Sequence, residues 1–85
     1  MNAPSHCTRL NLPEARRKRG VSLESIVHRT KIGTPYLQAI ESERFEALPG
    51  CIYSVSYIRQ YAEAIEFDAN IILAVYREKL HEPVL

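Results

Sequence analysis

Apolar residues recur at helical spacing along most of the chain, in five segments separated by turn-forming residues. No segment alternates apolar and polar residues with the period of two that is typical of a β-strand. The sequence therefore predicts an all-α, compact five-helix domain. The helices are expected at about 10–19, 22–30, 34–41, 52–65 and 69–79.

Residues that start and stop helices support these boundaries. Gly20 is expected to end the first helix in the left-handed conformation, and Ser22 can cap the second. Thr34 is expected to cap the third helix, with Pro35 at its first helical position. Asp68 is a good cap for the fifth helix.

The periodicity also predicts which side chains face the core. One short stripe lies on each helix, and the loop at 42–50 is expected to insert two apolar side chains. The expected core residues are Leu23, Ile26, Val27, Leu37, Ile40, Phe45, Leu48, Val55, Ile58, Ala62, Ile65, Ile72, Val75 and Tyr76.

The length of 85 residues allows one small domain. We expect a flexible N-terminus at 1–9, the folded domain at 10–80 and a frayed tail at 81–85. A domain of this size has little room for a deep, dry catalytic cleft, so its size favours binding over catalysis.

The net charge of +1 hides an uneven distribution of charge along the chain. Residues 1–40 hold seven Lys or Arg and two acids, which gives +5, whereas residues 41–85 hold four and eight, which gives −4. This asymmetry predicts that the basic half faces an anionic partner and that phosphate and protein partners approach different parts of the domain. The alternative is that the basic run at 16–19 is simply a solvated helix face.

No residue pattern predicts an enzyme, a metal site or a cofactor. Cys7 and Cys51 are too far apart for a CxxC signature, and His6, His28 and His81 are scattered. The sequence contains no apolar run of membrane-spanning length and no secretory signal, so a cytoplasmic location is expected.

The second and third helices, with their short connection, form a helix-turn-helix pattern whose second helix can enter a DNA major groove. Lys31, Thr34, Tyr36 and Gln38 are the candidate DNA-binding residues. Of these, Gln38 is the good reader of base edges, whereas Thr34 and Tyr36 could bond phosphates.

The fourth helix presents a different candidate surface. Helical rotation places Tyr53 and Tyr57 outside the buried stripe, with Arg59 interpreted as close to the same face. Exposed tyrosines one turn apart, near an arginine, are typical of a protein-binding site. The alternative is that the loop at 42–50 or the termini cover these tyrosines.

The span from Leu12 to Leu80 resembles the helix-turn-helix domain of RodZ-type bacterial proteins, which are related to phage-repressor domains. The matching motifs are LPEAR at 12–16, RGVSLE at 19–24, YLQAIE at 36–41, FEALPG at 45–50 and YIRQYA at 57–62.

The resemblance implies the cytoplasmic domain of a membrane-anchored protein that links cell-wall synthesis to the bacterial actin-like filament. It implies that Tyr53 and Tyr57 contact that filament and that Arg16 and Glu41 form a buried structural ion pair. Related chains are transcriptional regulators, which keeps DNA binding as the alternative. Against that alternative, Leu23 and Lys31 replace the glutamine and the turn glycine that are usual in repressors.

Overall fold

The computed structural model describes residues 8–80, apart from the side chain of Cys51. The described residues therefore leave out Cys7, most of the predicted flexible N-terminus and the predicted tail at 81–85. Within 8–80 the chain forms five α-helices, a 3-10 turn and no β-strand, which confirms the all-α class. The helices are α1 Leu12–Lys18, α2 Leu23–Thr30, α3 Thr34–Glu41, α4 Cys51–Ala64 and α5 Ala69–Leu80, with the 3-10 turn at Phe45–Ala47.

The end of α1 and the start of α2 form as predicted. Gly20 has φ +69, and the backbone N–H groups of Gly20 and Val21 donate to the carbonyls of Arg17 and Arg16 at 2.9 and 3.2 Å. These two bonds define a Schellman motif, which satisfies carbonyls that the end of the helix leaves free. The backbone N–H of Ser25 donates to the hydroxyl of Ser22 at 3.1 Å, so Ser22 is the N-cap of α2.

The turn into α3 differs from the prediction by one residue. Gly33 is the N-cap, because its carbonyl accepts from the N–H groups of Tyr36 and Leu37 at 3.0 and 3.2 Å. Thr34 is the first helical residue and makes no capping bond, so its prediction as N-cap is wrong. The preceding turn depends on Lys31, which has φ +65 in the left-handed region.

The loop between α3 and α4 closes the core as expected. Phe45 and Leu48 are both buried, and the Phe45 ring packs edge-on against Tyr76 of α5, with ring centroids 5.5 Å apart. Asp68 caps α5, since its carboxylate accepts from the N–H of Asn70 at 2.9 Å.

The buried side of α4 is displaced from the predicted stripe. Ile58, Ala62 and Ile65 are fully buried as expected, whereas Val55 is only partly buried. Tyr61, which the periodicity places at the edge of the stripe, has no exposed surface at all. The displacement follows because the hydroxyl of Tyr61 donates a hydrogen bond to Glu41 of α3.

The two charged halves of the sequence are not separated in space. Three ion pairs of the described residues cross between them: Arg9–Glu78, Arg16–Glu41 and Arg19–Glu66. Packing therefore sets opposite charges from the two halves side by side at these three places.

The last residue of the predicted flexible N-terminus is held in place. Both Arg9 and Leu10 donate their backbone N–H groups to Oε2 of the buried Glu43, at 2.8 and 2.9 Å. The other oxygen of that carboxylate lies 3.6 Å from Nζ of Lys79 on α5. One carboxylate thus connects the chain before α1 to the last turn of α5.

Candidate functional site

A buried polar cluster joins α1, α3 and α4, and the candidate surfaces lie on α3 and α4. Nε of Arg16 on α1 donates to Oε2 of Glu41 at 2.6 Å, and the hydroxyl of Tyr61 on α4 donates to the same oxygen at 2.7 Å. Arg16 also donates to the carbonyl of Val21 at 3.1 Å. The structure therefore contains the ion pair that the resemblance implies, with Tyr61 as a third member.

Burial raises the pKa of Tyr61 far above its ordinary value, and the hydrogen bond to the Glu41 carboxylate raises it further. Tyr61 is therefore a neutral donor over the physiological pH range. Because Glu41 closes α3 and Tyr61 lies in the middle of α4, their bond sets how these two helices lie against each other.

Three tyrosines from these two helices form a continuous row. The ring centroids of Tyr36 on α3 and Tyr57 on α4 are 5.6 Å apart, with 50° between the ring planes. Those of Tyr57 and Tyr53 are 6.5 Å apart, with 58° between the planes. Both pairs have the tilted geometry that favours contact between aromatic rings. We call Tyr36, Tyr57 and Tyr53 the aromatic row.

Exposure varies along the aromatic row. Tyr53 is 62% exposed, as predicted, and Tyr36 is 36% exposed. Tyr57 is only half-buried rather than freely exposed, because it packs against the core and against both neighbouring rings. The middle ring is thus held in place while the outer two face solvent.

Arg59 does not belong to the aromatic row. It is exposed, but it follows Tyr57 by two residues, and side chains at that spacing do not share a helix face. The interpretation that Arg59 lies close to the tyrosine face is therefore wrong. It projects from another side of α4.

The structure also divides the four candidate DNA-binding residues. Thr34 and Gln38 are exposed and one turn apart on α3, and Lys31 is exposed in the turn before it. Tyr36 lies two residues before Gln38 and contacts Tyr57, so it faces α4 instead. This division leaves a small polar surface of Lys31, Thr34 and Gln38 beside the aromatic row.

Sequence reasoning missed the place of Tyr36 in the aromatic row. Nothing in the local pattern reveals it, because the Tyr36–Tyr57 contact depends on how α3 packs on α4. Within the part of the chain that the structure describes, no three His, Cys, Asp or Glu residues are grouped to hold a metal. None of the helices in residues 8–80 is both long and apolar enough to cross a membrane.

Residues 11–72 match the family model described as a helix-turn-helix domain. The chain is 37% identical over 62 residues to "Cytoskeleton protein RodZ" of Streptococcus pneumoniae. It is 33% identical over 60 residues to "Uncharacterized membrane protein YmfM" of Bacillus subtilis. The chain belongs to this helix-turn-helix domain family and is of the RodZ type.

The matched regions cover 73% and 71% of this chain, but only 22% and 21% of the two relatives. The similarity therefore concerns one domain, about a fifth of each curated relative. No solved structure gives a significant match.

Proposed function

We propose that this domain is a non-catalytic binding module that holds a protein partner, the bacterial actin-like filament, through the aromatic row. The observation that carries the proposal is the contact of Tyr36 with Tyr57 and of Tyr57 with Tyr53, which joins α3 and α4 into one surface.

The aromatic row has the physical properties of a protein-binding site. Tyrosine buries a large apolar area while its hydroxyl keeps a hydrogen bond, and it is enriched among the residues that dominate binding energy. The contacts on both sides of Tyr57 restrict its ring before binding, so little side-chain entropy is lost when a partner arrives. A partner would therefore meet a surface that is already ordered.

The comparisons support the kind of partner and the setting. One relative is named a cytoskeleton protein and the other a membrane protein, and this chain spans a small part of each. We propose accordingly that the domain belongs to a membrane-anchored chain and faces the cytoplasm, where an actin-like filament could reach it.

Co-sedimentation with the purified actin-like filament protein of the source bacterium tests the proposal. Tyr53→Ala and Tyr36→Ala are expected to weaken binding by about tenfold or more each, since both rings are exposed and supply anchoring area. Ala74→Ser, an exposed change on α5, is the matched control and should bind like the parent. Undiminished binding by the double variant Tyr53→Ala/Tyr36→Ala, shown to be folded by circular dichroism, would refute the proposal.

A second candidate function is DNA binding by α3. It is favoured by the exposure of Thr34 and Gln38 on α3, the helix that enters the major groove in helix-turn-helix proteins, and of Lys31 in the turn before it. A gel-shift assay with Lys31→Ala/Gln38→Ala tests it. Loss of a shifted band in this variant, with filament binding intact, would support DNA binding through α3.

A further inference from the structure

Glu43 occupies a backbone position that favours glycine. It lies two residues after the end of α3 and has φ +60, in the left-handed region. Its N–H donates to the carbonyl of Ile40 at 3.1 Å, and the N–H of the next residue donates to the carbonyl of Ala39 at 2.8 Å, which is the Schellman pattern. A residue with a Cβ is strained in this conformation, so a glutamate here costs stability that a glycine would not.

The side chain of Glu43 has no exposed surface, and its two oxygens contact opposite ends of the domain. Oε2 accepts the backbone N–H groups of Arg9 and Leu10, which precede α1. Oε1 makes no hydrogen bond with a described residue and lies 3.6 Å from Nζ of Lys79, in the last turn of α5. Because a buried carboxylate is costly unless it is paired and hydrogen-bonded, Glu43 depends on both segments at once.

A second contact joins the same two segments. The guanidinium of Arg9 pairs with Glu78, the residue before Lys79 on α5. If residues 9–10 detach, Glu43 loses both of its N–H donors while its charge stays buried. If the last turn of α5 unwinds, Arg9 and Glu43 each lose a charged partner. We call Arg9, Leu10, Glu43, Glu78 and Lys79 the clasp.

We propose that the clasp is a conformational coupling device, in which residues 9–10 and the last turn of α5 attach and detach as one unit on the shared anchor Glu43. Because coupling between two sites is reciprocal, a ligand or a pull that detaches the chain at Arg9 also loosens the end of α5, and the reverse holds. The clasp uses no residue of the aromatic row, so this inference does not depend on the proposed function.

Hydrogen exchange of individual backbone amides, followed by NMR, tests the coupling in Lys79→Met. Lys79 forms its ion pair with Glu43 and none with residues 9–10, so any effect on those residues must pass through the anchor. The amides of Arg9 and Leu10 are expected to exchange about tenfold faster in the variant. The amide of Ile58, in the buried part of α4, should exchange as in the parent.

Arg77→Met is the matched control for Lys79→Met. Arg77 is exposed, lies two residues before Lys79 on α5 and forms no ion pair with a described residue. Its replacement should leave the exchange of Leu10 within about twofold of the parent, as expected for an exposed change away from the contacts.

Glu43→Gln tests the anchor itself, because it keeps the shape of the side chain and removes its charge. Both segments lose their charged partner in this variant. The amides of Leu10 and Lys79 are therefore both expected to exchange at least about tenfold faster, with Ile58 unchanged. Acceleration at Leu10 alone would show that the end of α5 does not depend on the anchor and would overturn the proposal.

Two results with Lys79→Met would also overturn it. Parent-like exchange of Arg9 and Leu10 would mean that Glu43 holds residues 9–10 independently of α5. Equal acceleration at Leu10 and Ile58 would mean that the whole domain opens and that the clasp is not a separate unit. No filament is present in these measurements, so their failure leaves the proposed function standing, and loss of the proposed filament contact would leave the clasp standing.

Discussion

The hydroxyl of Tyr61 donates a 2.7 Å hydrogen bond to Oε2 of Glu41, the oxygen that also accepts from Arg16. One carboxylate oxygen therefore joins α1, α3 and α4 in the interior of the domain. The bond also sets the geometry of the aromatic row, because Tyr36 lies on α3 and Tyr57 lies one turn before Tyr61 on α4.

Tyr61→Phe removes this donor and leaves the ring in place. We expect it to lower the free energy of unfolding by about 1–3 kcal/mol, because a hydrogen bond to a buried charged acceptor is lost. Urea denaturation measures the change. Tyr53→Phe, which removes a hydroxyl from an exposed ring, should change stability by less than about 0.5 kcal/mol. Equal effects of the two variants would contradict the structural role of Tyr61.

Stability should also fall at alkaline pH, because the pKa of Tyr61 is raised in the folded state above its ordinary value of 10.0. Unfolding then lets the phenol ionise, so the contribution of Tyr61 is complete below pH 10 and is lost progressively as the pH rises above it. The loss is expected to approach about 1.4 kcal/mol per pH unit.

Tyr61→Phe serves as the control for this pH dependence. Denaturation of the parent and the variant at pH 8 to 11.5 should give curves that converge as the pH rises. Parallel curves above pH 10 would show that Tyr61 does not carry the effect.

Arg16→Ala leaves the Glu41 carboxylate without its cation. The side chains of Arg16 and Glu41 are only 14% and 9% exposed, so the remaining charge is poorly solvated. We expect a loss of about 3–5 kcal/mol, which thermal unfolding would report. The double variant Arg16→Met/Glu41→Gln should be less destabilised than Arg16→Ala, since it leaves no unpaired charge. A larger loss of stability in the double variant would argue against the poorly solvated, unpaired charge as the cause.

Lys31→Gly is expected to stabilise the domain. Lys31 has φ +65, a conformation that costs a residue with a Cβ about 1–2 kcal/mol and that glycine adopts freely. Glycine also has greater conformational entropy in the unfolded chain, which offsets part of this gain. The net gain in the free energy of unfolding is up to about 1 kcal/mol. Lys31→Ala removes the charge but keeps the strained backbone, so it should show no gain in urea denaturation. A gain in Lys31→Ala alone would point to charge instead of backbone strain.

Local sequence signals were sufficient to predict the number and order of the helices in residues 8–80. Gly20 and Ser22 each carry their own capping chemistry, and the apolar spacing of α3 places Leu37 and Ile40 in the core. The error at Thr34 is one residue, because Gly33 and Thr34 compete for the N-cap and the pattern does not distinguish them.

The sequence by itself determined the all-α class, the order of the helices, most of the core and the exposure of Tyr53, because these depend on interactions within a few residues. Only the tertiary structure decided the partners of side chains on different helices. Tyr36 joins Tyr57, Tyr61 becomes buried on Glu41, and the basic and acidic halves interleave. Each of these depends on how the helices pack, and helical periodicity gives the face of a helix but not which neighbour covers it.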